Sequence, residues 1–251
     1  MELDLSGKRA LVTGASRGIG WAIGKALHAE GCRIALNARG EADLRTAVAS
    51  IPDAVAAIGD VSKFEDASRV VGEAIRLLGG LDVLICNVGS GRSVPPGQET
   101  PEEWQRVFAV NLWSTINTVQ AARAALASVR GAIVCISSIC GLEVVPGAPV
   151  TYSTAKAALH AYVRGIARPL GAVGVRINAV APGNILFDGS VWAGKVAGDA
   201  VAVSAMLQRE VALAQFGTPE DVARLVAYLA SPRSGFATGA VWTLDGGQVR
   251  A

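Results

Sequence analysis

Apolar positions along this chain fall into two rhythms that take turns. Short apolar runs at residues 10–12, 32–36, 55–58, 81–86, 132–137, 175–180 and 241–244 read as buried strands. Between them the apolar residues recur at helical spacing: from about Gly18 through Trp21, Ile23 and Leu27, over 42–51 up to Pro52, over 63–78 up to Gly79-Gly80, from Thr100 through Asn111, over 151–171, and from Thr218 to Leu229. Thr100-Pro101-Glu102-Glu103 supplies a capping threonine, a proline at the first helical position and a glutamate to close a capping box. Strand and helix alternating in this way predict an α/β fold, a doubly wound parallel sheet with helices on both faces. Periodicity weakens only over 184–216, where a long segment carrying Phe187, Trp192 and Met206 fits a lid over a substrate. Ordinary packing explains Leu186, Phe187 and Trp192 equally well.

The first strand runs into Thr13-Gly14-Ala15-Ser16-Arg17-Gly18-Ile19-Gly20. Glycines there let the backbone turn tightly and approach a ligand closely. The helix that follows aims unpaired N–H groups and its positive dipole end at the gap, which suits a phosphate. A tight loop with no ligand is the alternative. The second strand ends in Asn37-Ala38-Arg39 without a carboxylate. An acidic side chain at that point favours the ribose of NAD, whereas a basic one accommodates a 2′-phosphate. Arg17 and Arg39 could clamp that phosphate, so NADP(H) is the expected cofactor; solvated surface arginines are the alternative.

Composition narrows the class. Hydrophobic residues make up 51% and glycine 29 of 251 residues, enough for a large core with many tight turns, and the whole chain, 1–251, reads as one domain. A net charge of +2 without a basic block gives no footprint for nucleic acid or an anionic membrane. The first residues lack a secretory pattern and no apolar run spans a bilayer, so a cytoplasmic protein with a small-molecule partner is expected. Cys32, Cys86, Cys135 and Cys140 lie in or beside strand-like runs as small buried hydrophobes, and no spacing suggests a metal site.

The candidate chemistry lies late in the chain. Ser137-Ser138 closes the fifth strand, at the end where open parallel sheets bind ligands. Tyr152 and Lys156 follow, one turn apart on one face of a helix. With three tyrosines and five lysines in the chain, chance gives such a pair about 6% of the time. A phenol of pKa about 10 exchanges protons poorly near neutrality, and an adjacent ammonium favours its phenolate. Asn111 interrupts an apolar helix pattern; it needs partners for its amide, and a nearby backbone carbonyl would serve.

With the glycine loop, Asn111, Ser138, Tyr152, Lys156, Pro182-Gly183 and Asp245-Gly246-Gly247 in register, the whole chain resembles the short-chain dehydrogenase/reductase family, most closely its 3-oxoacyl-carrier-protein reductase-like members. The resemblance implies a seven-stranded sheet and assembly as a homotetramer or homodimer. It implies a cofactor site from Gly14, Ser16, Arg17, Gly18, Ile19, Gly20, Asn37, Arg39, Asp60, Val61, Asn87, Gly89, Tyr152, Lys156, Pro182, Gly183 and the backbone of Ile185. Asp60-Val61 would lie along the adenine. Ser138 would hold a carbonyl oxygen, Tyr152 would donate a proton, Lys156 would lower the tyrosine pKa and hold a ribose, and Asn111 would order a water behind it. The chain departs from the family at Cys86, where an asparagine is usual, at Val88, where an alanine is usual, and at Phe187, where a threonine often holds the nicotinamide amide. Val144, Val145, Phe187 and Trp192 suggest a partly apolar substrate pocket. His28 and His160 match no catalytic position. A cofactor-binding sensor or scaffold, and a lyase or dehalogenase on the same frame, are the rival readings; the intact Asn, Ser, Tyr, Lys and glycine set argues against both.

Overall fold

The computed structural model describes residues 2–250. Among these residues a single sheet of seven parallel strands runs in the order β3-β2-β1-β4-β5-β6-β7. The strands are β1 (Arg9–Val12), β2 (Arg33–Ala38), β3 (Val55–Ile58), β4 (Val83–Cys86), β5 (Ala132–Ile136), β6 (Arg176–Pro182) and β7 (Val241–Leu244). The helices are α1 (Gly18–Ala29), α2 (Glu41–Ala49), α3 (Phe64–Leu78), α4 (Pro101–Phe108), α5 (Ser114–Val129), α6 (Val150–Gly171), α7 (Val191–Gly198), α8 (Ala200–Glu210) and α9 (Pro219–Ala230). None of them is long and apolar enough to cross a membrane.

Successive residues of each strand face opposite sides, so each strand feeds two cores. Val12, Leu36, Ile85, Val134 and Val180 pack with Ile23 and Leu27 of α1 and Val222 and Val226 of α9. Leu11, Ala35, Leu84, Ile133 and Ile177 pack on the other face with Val70 and Val71 of α3, Leu126 of α5 and Leu159 and Val163 of α6. The strand order reverses between β1 and its neighbour β4, which opens a crevice at their carboxyl ends, the usual ligand position in such sheets.

Strands β2 and β6 run two residues beyond the apolar runs that announce them, to Ala38 and Pro182. The long helix expected from Thr100 through Asn111 is broken by a π-helical turn at Ala109–Trp113. The capping box expected there forms only by half: Thr100 Oγ1 accepts from Glu103 N at 3.3 Å, but the Glu103 carboxylate is taken by Ser93 and Arg106. The complete box occurs at α9, between Thr218 and Asp221. Segment 184–216 contains α7 and α8, which share a small core of Val203, Leu207 and Val211.

Candidate active site

The glycine loop is stapled to the end of β4. Thr13 Oγ1 donates to the Ile85 carbonyl at 3.2 Å and accepts from Asn87 N at 3.0 Å. The Asn87 amide donates to the carbonyls of Thr13 and Gly14 at 3.1 and 2.9 Å. A Cβ on Gly20 would stand 2.5 Å from the Gly14 carbonyl, so no larger residue fits beneath the loop. Helix α1 then begins with no side-chain cap and no acidic residue in its first turn. α9, by contrast, spends its first N–H groups on a threonine and carries two acidic residues there. The start of α1 thus keeps its first N–H groups uncapped by any side chain, and the glycine loop has the character of a cradle for a dinucleotide's phosphates. Ser16 and Ile19, on either side of Arg17 and Gly18, remain partly accessible there.

Not every expected cofactor contact faces this cradle. Asn37 points into the sheet, where its amide donates to the carbonyls of Ala57 and Gly59 at 2.8 and 3.0 Å, so it ties β2 to β3 rather than reaching a ligand. The Val61 side chain is buried in the second core, which leaves only its backbone for an adenine. Arg39 is exposed and leans on Asp60 at 3.8 Å. Arg17 lies instead against Gly189, where a Cβ would come 2.9 Å from its Nη1.

The second half of the site gathers around Gly89. A Cβ on this residue would stand 3.1 Å from both Asn111 Oδ1 and Lys156 Nζ, so a side chain here would wedge the two apart. Asn111 sits in the π-helical turn, an interruption common at functional positions. Its amide donates to the carbonyls of Val107 and Ser90 at 3.1 Å, and its oxygen accepts from Ser90 N at 2.9 Å. The expected bond to a nearby backbone carbonyl is therefore present, and Asn111 also clamps the loop after β4 at Ser90.

Helix α6 carries Tyr152 and Lys156. Lys156 is 2% exposed, donates to the Ile136 carbonyl at 2.9 Å and lies 5.8 Å from the centroid of the Tyr152 ring. Burial lowers its pKa to about 8. Burial likewise pushes the Tyr152 phenol up to about 12, and a hydrogen bond with Ser138 offsets part of that rise. Desolvation dominates in this arrangement, and the Lys156 ammonium is engaged by Ile136. The phenol is neutral at physiological pH, the form that donates a proton. Ser138 caps the turn at Ile139–Gly141, with its Oγ accepting from Cys140 N at 3.2 Å.

Several supporting residues carried no legible signal. Ser93 Oγ lies 2.6 Å from Glu103 Oε1 and 2.7 Å from Thr151 Oγ1, which joins the loop after β4, helix α4 and the residue before Tyr152. With Ser93 and Arg106 bound to it, the Glu103 carboxyl falls to about 2, the arginine being the larger cause. His160, one turn beyond Lys156, is buried, meets the Gly141 carbonyl through Nδ1 at 3.2 Å and has its pKa lowered to about 4 by burial. Glu143 accepts from Arg250 N at 3.0 Å.

The expected apolar pocket is only partly assembled. Val144 is 95% exposed and Val145 half-buried. Trp192 is occupied within segment 184–216, 5.4 Å from the Phe216 ring and under Lys195. Phe187 rests on Gly18. Phe187 and Trp192 both make packing contacts here. At the end of β6, Gly183 allows close contact with Asp245, and the Ile185 side chain is buried beyond Pro182.

The sequence profile described as enoyl-(acyl carrier protein) reductase matches residues 14–248. The chain belongs to the short-chain dehydrogenase/reductase family. It is an oxidoreductase. The 3-oxoacyl-(acyl-carrier-protein) reductase FabG of Staphylococcus aureus is 34% identical over 248 residues, covering 96% of this chain and 97% of that protein. Human L-xylulose reductase is 35% identical, with 98% of each chain covered. Among solved structures, L-sorbose reductase from Gluconobacter frateurii, complexed with NADPH and L-sorbose, superposes with a TM-score of 0.93 at 26% identity over 100% of both chains. A short chain dehydrogenase from Burkholderia cenocepacia in complex with NADP gives 0.88 at 33% identity, covering 97% of this enzyme and 98% of that chain.

Proposed function

We propose that this enzyme uses NADP(H) to interconvert a ketone and a secondary alcohol, with a 3-oxoacyl thioester as the first substrate class. The observation that carries the reading is the meeting of Asn111 and Lys156 at Gly89, with Tyr152 against Gly91 and hydrogen-bonded to Ser138, beside a helix start that no side chain caps. The cofactor, when bound, supplies or accepts the hydride. Gly14, Ser16, Gly18, Ile19 and Gly20 would hold its phosphates, Arg17 and Arg39 the 2′-phosphate, Asp60 and the Val61 backbone the adenine, and Gly89, Pro182, Gly183 and the Ile185 backbone the nicotinamide end. Ser138 donates a hydrogen bond to the substrate oxygen and stabilises the charge that grows on it. Tyr152, neutral and half-buried, gives that oxygen its proton. Lys156 repays the tyrosine electrostatically as the phenolate forms, and Asn111 holds the loop at Ser90 and a water route behind the lysine.

Similarity to L-xylulose reductase and to an L-sorbose complex supports a second substrate class, ketoses and their alcohols. Residues 184–216 would act as the lid in either case, and the functional particle would be a cytoplasmic homotetramer. The test is the initial rate of NADPH and of NADH oxidation against 3-oxoacyl thioesters and ketoses, with Tyr152→Phe alongside. We expect NADPH-preferring turnover that Tyr152→Phe reduces by about 10²- to 10⁴-fold. NADPH affinity, measured by calorimetry, should stay unchanged. A variant that keeps most of its activity removes Tyr152 as the proton donor.

A further inference from the structure

Gly18 opens the first turn of α1, where the absent side chain gives a phosphate room to approach. That room is taken. A Cβ on Gly18 would stand 2.7 and 2.9 Å from Cζ and Cδ2 of Phe187, so the phenyl ring lies directly against the glycine. The ring arrives on a short strap. Its upstream end is fixed, since Ile185 is 6% exposed and Leu186 N donates to the Gly217 carbonyl at 3.0 Å. Downstream, Ser190 N closes a turn on the Phe187 carbonyl at 3.0 Å, and α7 follows without one buried residue. One side of the strap is anchored in the core, and the other leads into α7, which packs through the half-buried Trp192 and Val196. The same strap engages Arg17, whose Nη1 would be 2.9 Å from a Cβ on Gly189.

A phenyl ring and a phosphate have opposite requirements. The helix start offers unpaired N–H groups and positive potential, which reward an anion and gain nothing from an apolar ring. The two cannot share the face of Gly18. We propose that Phe187 is a plug on the cofactor site: its ring leaves Gly18 before the dinucleotide's phosphates dock, and residues 187–190 swing outward with α7 as it does so. The movement also frees Arg17 from Gly189, so the arginine becomes available when the phosphates arrive. Phe187 thereby sets cofactor affinity without belonging to the reacting atoms. This inference rests on the proposed binding of NADP(H) at the start of α1.

A protein that must first open binds with its affinity reduced by the open fraction. The experiment compares NADPH binding to the full-length wild type, Phe187→Ala and Phe187→Leu by calorimetry and stopped-flow fluorescence. Phe187→Ala removes the ring and adds no new contact; Phe187→Leu keeps apolar bulk should the alanine variant fold poorly. We expect about ten-fold tighter binding for Phe187→Ala, a smaller gain for Phe187→Leu, and a wild-type binding rate that levels off at high NADPH because opening limits it. Affinity unchanged or weakened in both variants overturns the plug while leaving the cofactor reading intact. No NADPH binding by any of the three proteins overturns the cofactor reading itself, and the plug with it.

Discussion

His160 shows how a single buried side chain ties stability to pH. Its imidazole is 2% exposed beneath the Gly141 turn, with Arg164 and Lys156 as the cationic groups that further disfavour its protonation. The folded pKa of about 4 lies below the ordinary 6.5. Above pH 6.5 neither state is protonated and the histidine adds no pH dependence. As pH falls from 6.5 toward 4, the unfolded chain takes up a proton that the folded chain refuses, so stability is lost, by about 3 kcal/mol when the change is complete. His160→Gln should therefore lower the melting temperature at pH 7 yet flatten its decline between pH 6.5 and 4. Equal slopes for variant and wild type would remove His160 from the acid response. Tyr152 and Lys156 were readable as a pair because helical spacing alone places them together. Their pKa values were not, because burial is a property of the packed fold.

At the scale of elements, the strongest signals were the apolar runs, and they located every strand because a parallel sheet is covered on both faces. What escaped was any feature made by contact across the chain. The break at Ala109–Trp113 depends on Asn111 finding Ser90, and the diversion of Glu103 depends on Ser93 and Arg106. Asn87 was legible as a candidate for the cofactor wall, but not as the residue whose amide holds the glycine loop to β4. Asn87→Ala leaves the Thr13 and Gly14 carbonyls without that donor, at a cost of about 1–3 kcal/mol. The variant should melt lower in thermal denaturation and bind NADPH more weakly. If neither changes, the staple has no role in shaping the loop.

The molecule as a whole places its ligand crevice where the strand order turns, and this follows from topology more than from any single motif. Cofactor choice belongs to the same scale, since Arg39 sits at the end of β2 while Asp60 and Arg17 come from other segments. Arg39 is exposed and, among the described residues, paired with Asp60 at 3.8 Å, so it is free to turn toward a 2′-phosphate. Arg39→Ala should reduce the preference for NADPH over NADH by about ten-fold in kcat/KM, the size of one charge-assisted hydrogen bond. An unaltered ratio would assign the selectivity to Arg17 alone.

The position of each strand in the sheet also grades how freely this protein can change. β5 lies between β4 and β6, packs into both cores, gives Lys156 its carbonyl partner at Ile136 and delivers Ser138. Damage to its packing is therefore felt in activity as well as in folding, and few of its residues can vary alone. β3 is an edge strand with a groove beside it lined by Arg45, Val48, Ala56 and Leu77, far along the sheet from the reacting groups. Sequence drift should collect there, and that edge is where new surface can be grafted without silencing the enzyme.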